Sequence, residues 1–270
     1  MPFPLSLFAS LAESSLGLLA LVLFACLAAA AEAGFHIGRR QARRHPDHKT
    51  REGVGTLVSG MLGLVAFSLG VTLSIAQSRH ESRRVEVVQE ANSIGTAWLR
   101  AKLVGGEAGE AIAAAVEDYA RVRLDYTRLD QGGDERALIA RAGAMQNAMW
   151  AQATQIARAT PTAVAASLVG ALNDMFDQSL TQRAAFESRV PHVLNAMLLC
   201  GSMLALGALG FQFGLGGSRP LTLGTLLLSM WVGAMVVIVD FNRPRLGFMR
   251  VDASPLVWTI EGFSSPPAAR

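Results

Sequence analysis

Charge is what this sequence has little of. Asp, Glu, Lys and Arg make up 17% of its 270 residues, against about a quarter in soluble domains. With 51% hydrophobic residues and a mean hydropathy of +0.34, the shortage excludes an ordinary soluble globular enzyme. Neither sign dominates: 24 basic residues against 21 acidic leave a net charge of +3, and aromatics are only 7%, so nucleic acid has no electrostatic footprint to bind. The two cysteines, Cys26 and Cys200, lie inside apolar runs, which gives no support to a disulfide framework or a thiolate metal site. No strand-like alternation competes with helix. A P-loop, a dinucleotide fingerprint, a nucleophile elbow and a His-Glu-x-x-His pair are all missing. No enzymatic activity, metal or cofactor is therefore expected.

The apolar residues are gathered into four runs, at 15–35, 54–75, 193–215 and 221–239. A hydrocarbon core of about 30 Å needs about 20 residues of helix, and helix satisfies its own backbone in lipid. The predicted fold class is an all-α integral membrane protein, with four transmembrane helices (2 + 2) flanking a helical extramembrane domain. Before the first run the only charged residue is Glu13, so that run reads as a retained span rather than a signal peptide. The domain organisation follows: a first hairpin at 1–77 with a basic connecting loop at 39–52, a helical domain at 78–190, a second hairpin at 191–242, and a tail at 243–270 that is partly disordered. Within the helical domain, Val85, Val88, Ala91, Ile94, Trp98 and Leu99 recur at helical spacing, as do Ile112, Val116, Tyr119, Val122 and Tyr126. Breaks at Gly105-Gly106, at 131–134 and at Thr160-Pro161 divide it into about four helices.

The connection after the first run carries Arg39, Arg40, Arg43, Arg44, Lys49 and Arg51 against Asp47 alone. The positive-inside rule places it in the cytoplasm and the helical domain outside, on the periplasmic side of a bacterial cytoplasmic membrane. Arg79, Arg83 and Arg84 after the second run, and Arg243, Arg245 and Arg250 after the fourth, argue for the reverse. Because the first helix usually dominates, the exterior is favoured. Arg39, Arg40, Arg43 and Arg44 are expected to contact anionic lipid headgroups.

Several segments read together: Glu90-Ala-Asn-Ser-Ile-Gly-Thr96 with Leu99-Arg100, Asp118-Tyr119, Met145-Gln-Asn-Ala-Met-Trp150, Ala171-Leu-Asn-Asp174, Arg189-Val-Pro191 and Asp240-Phe-Asn-Arg-Pro244, with Gly247 and Pro255-Leu256. In this order they resemble the bestrophin-like family of bacterial and plant membrane proteins, distantly similar to bestrophin anion channels. That resemblance implies the same two-span, helical-domain, two-span order, a ring of about five subunits, and small inorganic ions, chloride among them, as the permeating species. It also implies a cytoplasmic helical domain, against the charge pattern of the first connection. The acidic calcium clasp that bestrophins carry after their last span has no counterpart here, where Asp240, Asp252 and Glu261 lie far apart. Calcium gating is not implied.

Candidate site residues follow from spacing. Thr56, Gly60, Gly63, Phe67, Gly70, Ser74 and Gln77 form one small, mildly polar stripe along the second span. It can line a pore with Phe67 as an apolar constriction that gates by dewetting, or it can let helices pack closely. Glu32 and His36, four apart, can meet on one helix face as an ion or proton site, or snorkel to headgroups. Glu86 and Glu90 can ring an oligomer axis, or hold ion pairs with Arg83, Arg84 or a neighbouring helix. Asp240 closes the fourth span as an ion site or as a structural cap paired with Arg243 or Arg245. His45 and His48, two imidazoles in a connection, are too few for a metal. The leading functional expectation is an oligomeric pore for small anions lined by the second span. The alternative is a non-conducting anchor or sensor whose helical domain binds a partner.

Overall fold

A computed structural model describes residues 15–44, 49–130 and 132–264. Among them are eight helices: α1 (Leu16–Arg44), α2 (Lys49–Val104), α3 (Gly106–Arg128), α4 (Glu135–Ala159), α5 (Ala163–Glu187), α6 (His192–Gly216), α7 (Leu221–Phe241) and α8 (Ser254–Ser264). Among the described residues no strand occurs, and α1, α2, α6 and α7 are long and apolar enough to cross a membrane. The fold is all-α, as the composition and the four apolar runs predict.

Local chemistry sets the helix ends. Gly105, at φ +70, takes a left-handed conformation that L side chains avoid, and it separates α2 from α3. Asp134 accepts the backbone N–H of Ala137 at 3.0 Å and opens α4, while Thr162, just after Pro161, accepts that of Ala165 at 3.2 Å and opens α5. Pro191 and Pro220 stand at the N-caps of α6 and α7, where their missing N–H costs nothing. Gly217 closes α6 in the left-handed conformation.

Two compact units result. The first holds α1, the beginning of α2 up to Ser78, α6 and α7. Leu19, Leu23 and Leu27 of α1, spaced by four, bury one stripe in a core shared with Leu198 and Leu206 of α6 and with Leu228, Trp231, Met235 and Ile238 of α7. Lipid tails are as apolar as leucine, so packing rather than water exclusion must hold such helices together. Glycine supplies the close approach here. A Cβ on Gly34 would lie 1.9 Å from the Gly207 carbonyl oxygen, and one on Gly38 would lie 2.1 Å from that of Phe211. Reciprocally, Cβ atoms on Gly210 and Gly214 would lie 1.9 and 2.2 Å from the carbonyl oxygens of Ala31 and Phe35. The backbones of α1 and α6 therefore touch. The indole of Trp231 donates to Ser202 Oγ at 2.8 Å, so the one indole in this core is satisfied.

The second unit comprises residues 79–188 and 243–270. Val87, Ile94, Ile112, Val116, Tyr119, Met149, Leu168, Leu172 and Met175 from four helices form its core, closed by Leu256 of α8. The Thr259 hydroxyl donates to Ala91 O at 3.4 Å, and Phe263 stacks on Trp98 with centroids 5.1 Å apart. Arg83, wholly buried, donates to Ala185 O and to Ser188 O, so its cation sits on the orphan carbonyls that end α5.

The helices differ from the apolar runs in three places. Residues 39–44 continue α1 and α2 starts at Lys49, so most of the connecting loop expected at 39–52 is helical. α2 runs on past residue 75 without a break to Val104. The segment read as a partly disordered tail carries α8, and residues 265–270 lie outside the described residues.

Candidate functional site

The exposed face of α2 is the first candidate. Its opposite face is turned into the first unit: Val58 is buried, Ala76 belongs to the core, Leu62, Val65, Leu69 and Leu73 pack against that core, and Val65 lies 3.4 Å from where a Cβ on Gly201 would sit. Thr56, Gly60, Gly63, Phe67, Gly70, Ser74 and Gln77 are all exposed, Phe67 to 70%. A Cβ on Gly60, Gly63 or Gly70 would meet nothing within 4 Å. The Ser68 and Thr72 hydroxyls donate back to Leu64 O and Ser68 O, at 2.9 and 2.8 Å, which leaves them satisfied within the helix. No Asp, Glu, Lys or Arg occurs from Thr56 to Gln77.

Glu32 and His36 meet as their spacing predicts, with Nε2 3.7 Å from Glu32 Oε2. The same carboxylate oxygen accepts from Arg219 at 3.1 Å, and the Arg219 guanidinium lies 4.0 Å from the Phe35 ring centroid. This arginine lies in the turn between α6 and α7. Arg39, Arg40, Arg43 and Arg44 are exposed at the end of α1, where cations also complement the helix dipole.

Glu86 and Glu90 have different surroundings. Half-buried Glu86 accepts from Gln178 Nε2 at 2.6 Å. Glu90 is wholly buried in the second unit, held by Arg123 Nε, with its Oε2 unpartnered. Arg123 also donates to Gln182 Oε1 at 2.8 Å and faces the Tyr126 ring at 4.6 Å. Gln146 bonds Tyr119 Oη and Ser179 Oγ, at 2.9 and 3.0 Å. Burial pushes the Glu90 carboxyl above the usual carboxylate range, although Arg123 pulls it down; burial likewise raises Tyr119. Burial by itself would lower Arg123, and Glu90, Tyr119 and Tyr126 together more than offset it. Of the partners expected for the two glutamates, Arg84 bonds Glu81 at 3.0 Å and Arg83 serves the end of α5, and it is the neighbouring helix, through Arg123 of α3, that reaches Glu90.

Asp240 is buried at the end of α7. Of the two arginines expected as its partners, Arg243 and Arg245, the second bonds Glu135 with both terminal nitrogens at 3.1 Å and stacks on Tyr126 and Phe186 at 4.4 and 5.3 Å. Among the described residues no cluster of three or more His, Cys, Asp or Glu could hold a metal. His45 and His48 lie outside them.

The spacing of Glu32 and His36 announces their pairing, but Arg219 is 187 positions from Glu32 and nothing local marks it. Arg123 carries one faint signal, a basic residue beside the buried positions Tyr119, Val122 and Tyr126 of a helical stripe.

Known proteins place this geometry. No curated protein matches the chain. Two solved structures of a bacterial bestrophin homolog from Klebsiella pneumoniae, each carrying one substitution, share the fold at 14% identity. The first has a TM-score of 0.64 over 88% of this chain and 96% of that one, the second 0.63 over 90% and 95%. The bestrophin-like domain matches residues 25–256, which include most of α1, all of α2 to α7 and the first residues of α8, and the chain belongs to the bestrophin-like family.

Proposed function

We propose that several copies of this chain, about five, assemble around an axis in the bacterial cytoplasmic membrane, with α2 of each copy facing inward, and that small anions pass between them. The observation that supports this reading is the composition of the exposed faces. On α6 and α7 they are bulky and aliphatic, Met197, Leu204, Leu223, Leu226 and Met230, as suits lipid. On α2 bulky Leu57, Met61, Leu64 and Val71 are exposed too, but beside them runs a stripe of Gly, Ser, Thr, Gln and a single Phe. Such a stripe gains little from lipid contact, whereas in a ring its small residues leave an axial opening. Phe67 is the one bulky group on that stripe, an apolar constriction whose wetting controls passage. With no acidic side chain from Thr56 to Gln77 there is nothing to hold a cation, and a weakly hydrated anion sheds its water most cheaply. Arg39, Arg40, Arg43 and Arg44 contact anionic headgroups in the same assembly.

Purified protein in liposomes tests the proposal. Chloride or a larger, less hydrated anion should leak faster through Phe67→Ala than through the parent, and imaging in detergent should show an axial hole in a ring. The reading is falsified if neither protein passes any ion. A compact particle with no opening favours the anchor instead, with substitutions in the helical unit rather than the α2 stripe abolishing function.

A further inference from the structure

An apolar cleft of about 190 Å³ opens between α1, α6 and the start of α7, all within the first unit. Phe24 and Ala28 line one wall, Leu206 and Phe213 the opposite one, and Leu228 and Gly224 a third side. One end is charged: Glu32 and Arg219 belong to the lining, with His36 one turn beyond Glu32. From Phe24 to Phe35 along α1 is eleven residues, about 16 Å, close to half of an approximately 30 Å hydrocarbon core. The cleft therefore has the depth of one leaflet, with its charges at the headgroup end.

The two charges are incompletely used. Among the described residues the Arg219 guanidinium gives one hydrogen bond, from Nη2 to Glu32 Oε2, so its remaining N–H groups can take an anion. Glu32 Oε1 has no protein partner among those residues, and about half of each side chain is exposed. A cation and a carboxylate side by side suit a ligand that carries both an anion and a hydrogen-bonding ammonium. Apolar walls below them suit an alkyl chain.

We infer that this cleft holds one acyl chain of a phospholipid whose phosphate bonds Arg219 and whose primary ammonium bonds Glu32, as in phosphatidylethanolamine. The site is separate from the α2 face, and its test does not depend on conduction.

Native mass spectrometry of the full-length protein in detergent, titrated with phosphatidylethanolamine and with phosphatidylglycerol, reads the site directly. The parent should retain the ethanolamine lipid about tenfold more strongly, the scale of one charge-assisted hydrogen bond. Glu32→Gln should erase that preference, and Arg219→Ala should lose both lipids. Gly224→Leu should also lose both: a Cβ there meets nothing within 4 Å, so a large side chain enters the cleft without pushing backbone. Equal gel-filtration profiles and melting points establish that each variant is folded. Unchanged retention in Arg219→Ala and Gly224→Leu would overturn the assignment. So would variants that alter the number of subunits while lipid retention stays constant, because a second copy would then occupy the cleft.

Discussion

At the scale of single residues, the buried pair Glu90–Arg123 makes the most exact demands. Removing one partner of such a pair leaves a charge without compensation, at a cost of about 3–5 kcal/mol. Arg123→Ala should destabilise by that amount at neutral pH, read as a drop in the melting point of the detergent-solubilised protein. The loss should shrink on acidification, since a protonated Glu90 no longer needs a cation. The parent's pH dependence follows from the sign of the shift. Burial raises the Glu90 pKa above its ordinary 4.5 in the folded state, so its contribution is complete below 4.5 and fades as pH rises through the folded value. Glu90→Gln, which fixes a neutral side chain, should remove that decline, and an unchanged pH slope would contradict the assignment. The sequence showed a glutamate on a helical face, two arginines about two turns before it, and an unspecified neighbouring helix as the other choice of partner. It could not show that the real partner arrives from α3, because a tertiary ion pair leaves no local periodicity.

Among whole elements, glycine plays two opposite parts. Between α1 and α6 it is filled space: a methyl group on Gly34 or Gly210 would strike backbone at 1.9 Å. Gly34→Ala should therefore force the two helices apart at a cost of about 1–3 kcal/mol, visible as a lower melting point. Along α2 it is open space, so Gly63→Ala should leave the melting point of the isolated chain unchanged and alter only assembly or flux. The sequence drew attention to Gly60 and Gly63, whose spacing lies within one obvious run. The Gly34–Gly38 and Gly210–Gly214 spacings are equally regular, yet which helices they join is a matter of topology. Hydropathy located all four spans, because lipid contact is what it measures. It could not mark the end of α2, since a helix stops where capping and backbone geometry stop it, and here the Gly105-Gly106 pair marked it in the sequence instead. Nor could it find α8, eleven residues whose order depends on a surface formed by distant chain.

Taken as a whole, the molecule has two units that are each assembled from separated stretches of chain. The second unit is closed by α8, whose Leu256 is fully buried and whose Phe263 stacks on Trp98. Burying such a leucine contributes about 1.5–3 kcal/mol, and an aromatic pair adds about 0.5–1.5 kcal/mol. Removing residues 254–270 should therefore cost at least about 2 kcal/mol and expose Ala91 and Trp98 to solvent, measurable as faster proteolysis within the second unit. If digestion and melting are unchanged, α8 is an appendage rather than a wall.

The touching backbones of α1 and α6 also set a timetable for biosynthesis. Gly34 leaves the ribosome 173 residues before Gly207, a lag of about 9 to 35 s at ordinary elongation rates. Throughout that interval α1 waits in the bilayer with its glycine face uncovered, while the helices of the second unit are made in between. That second unit must in turn wait for α8, synthesised after α7. The first unit therefore has all its helices only at residue 242 and the second only once α8 follows, so the last steps of folding for both are reserved for the moment when nearly the whole chain has emerged.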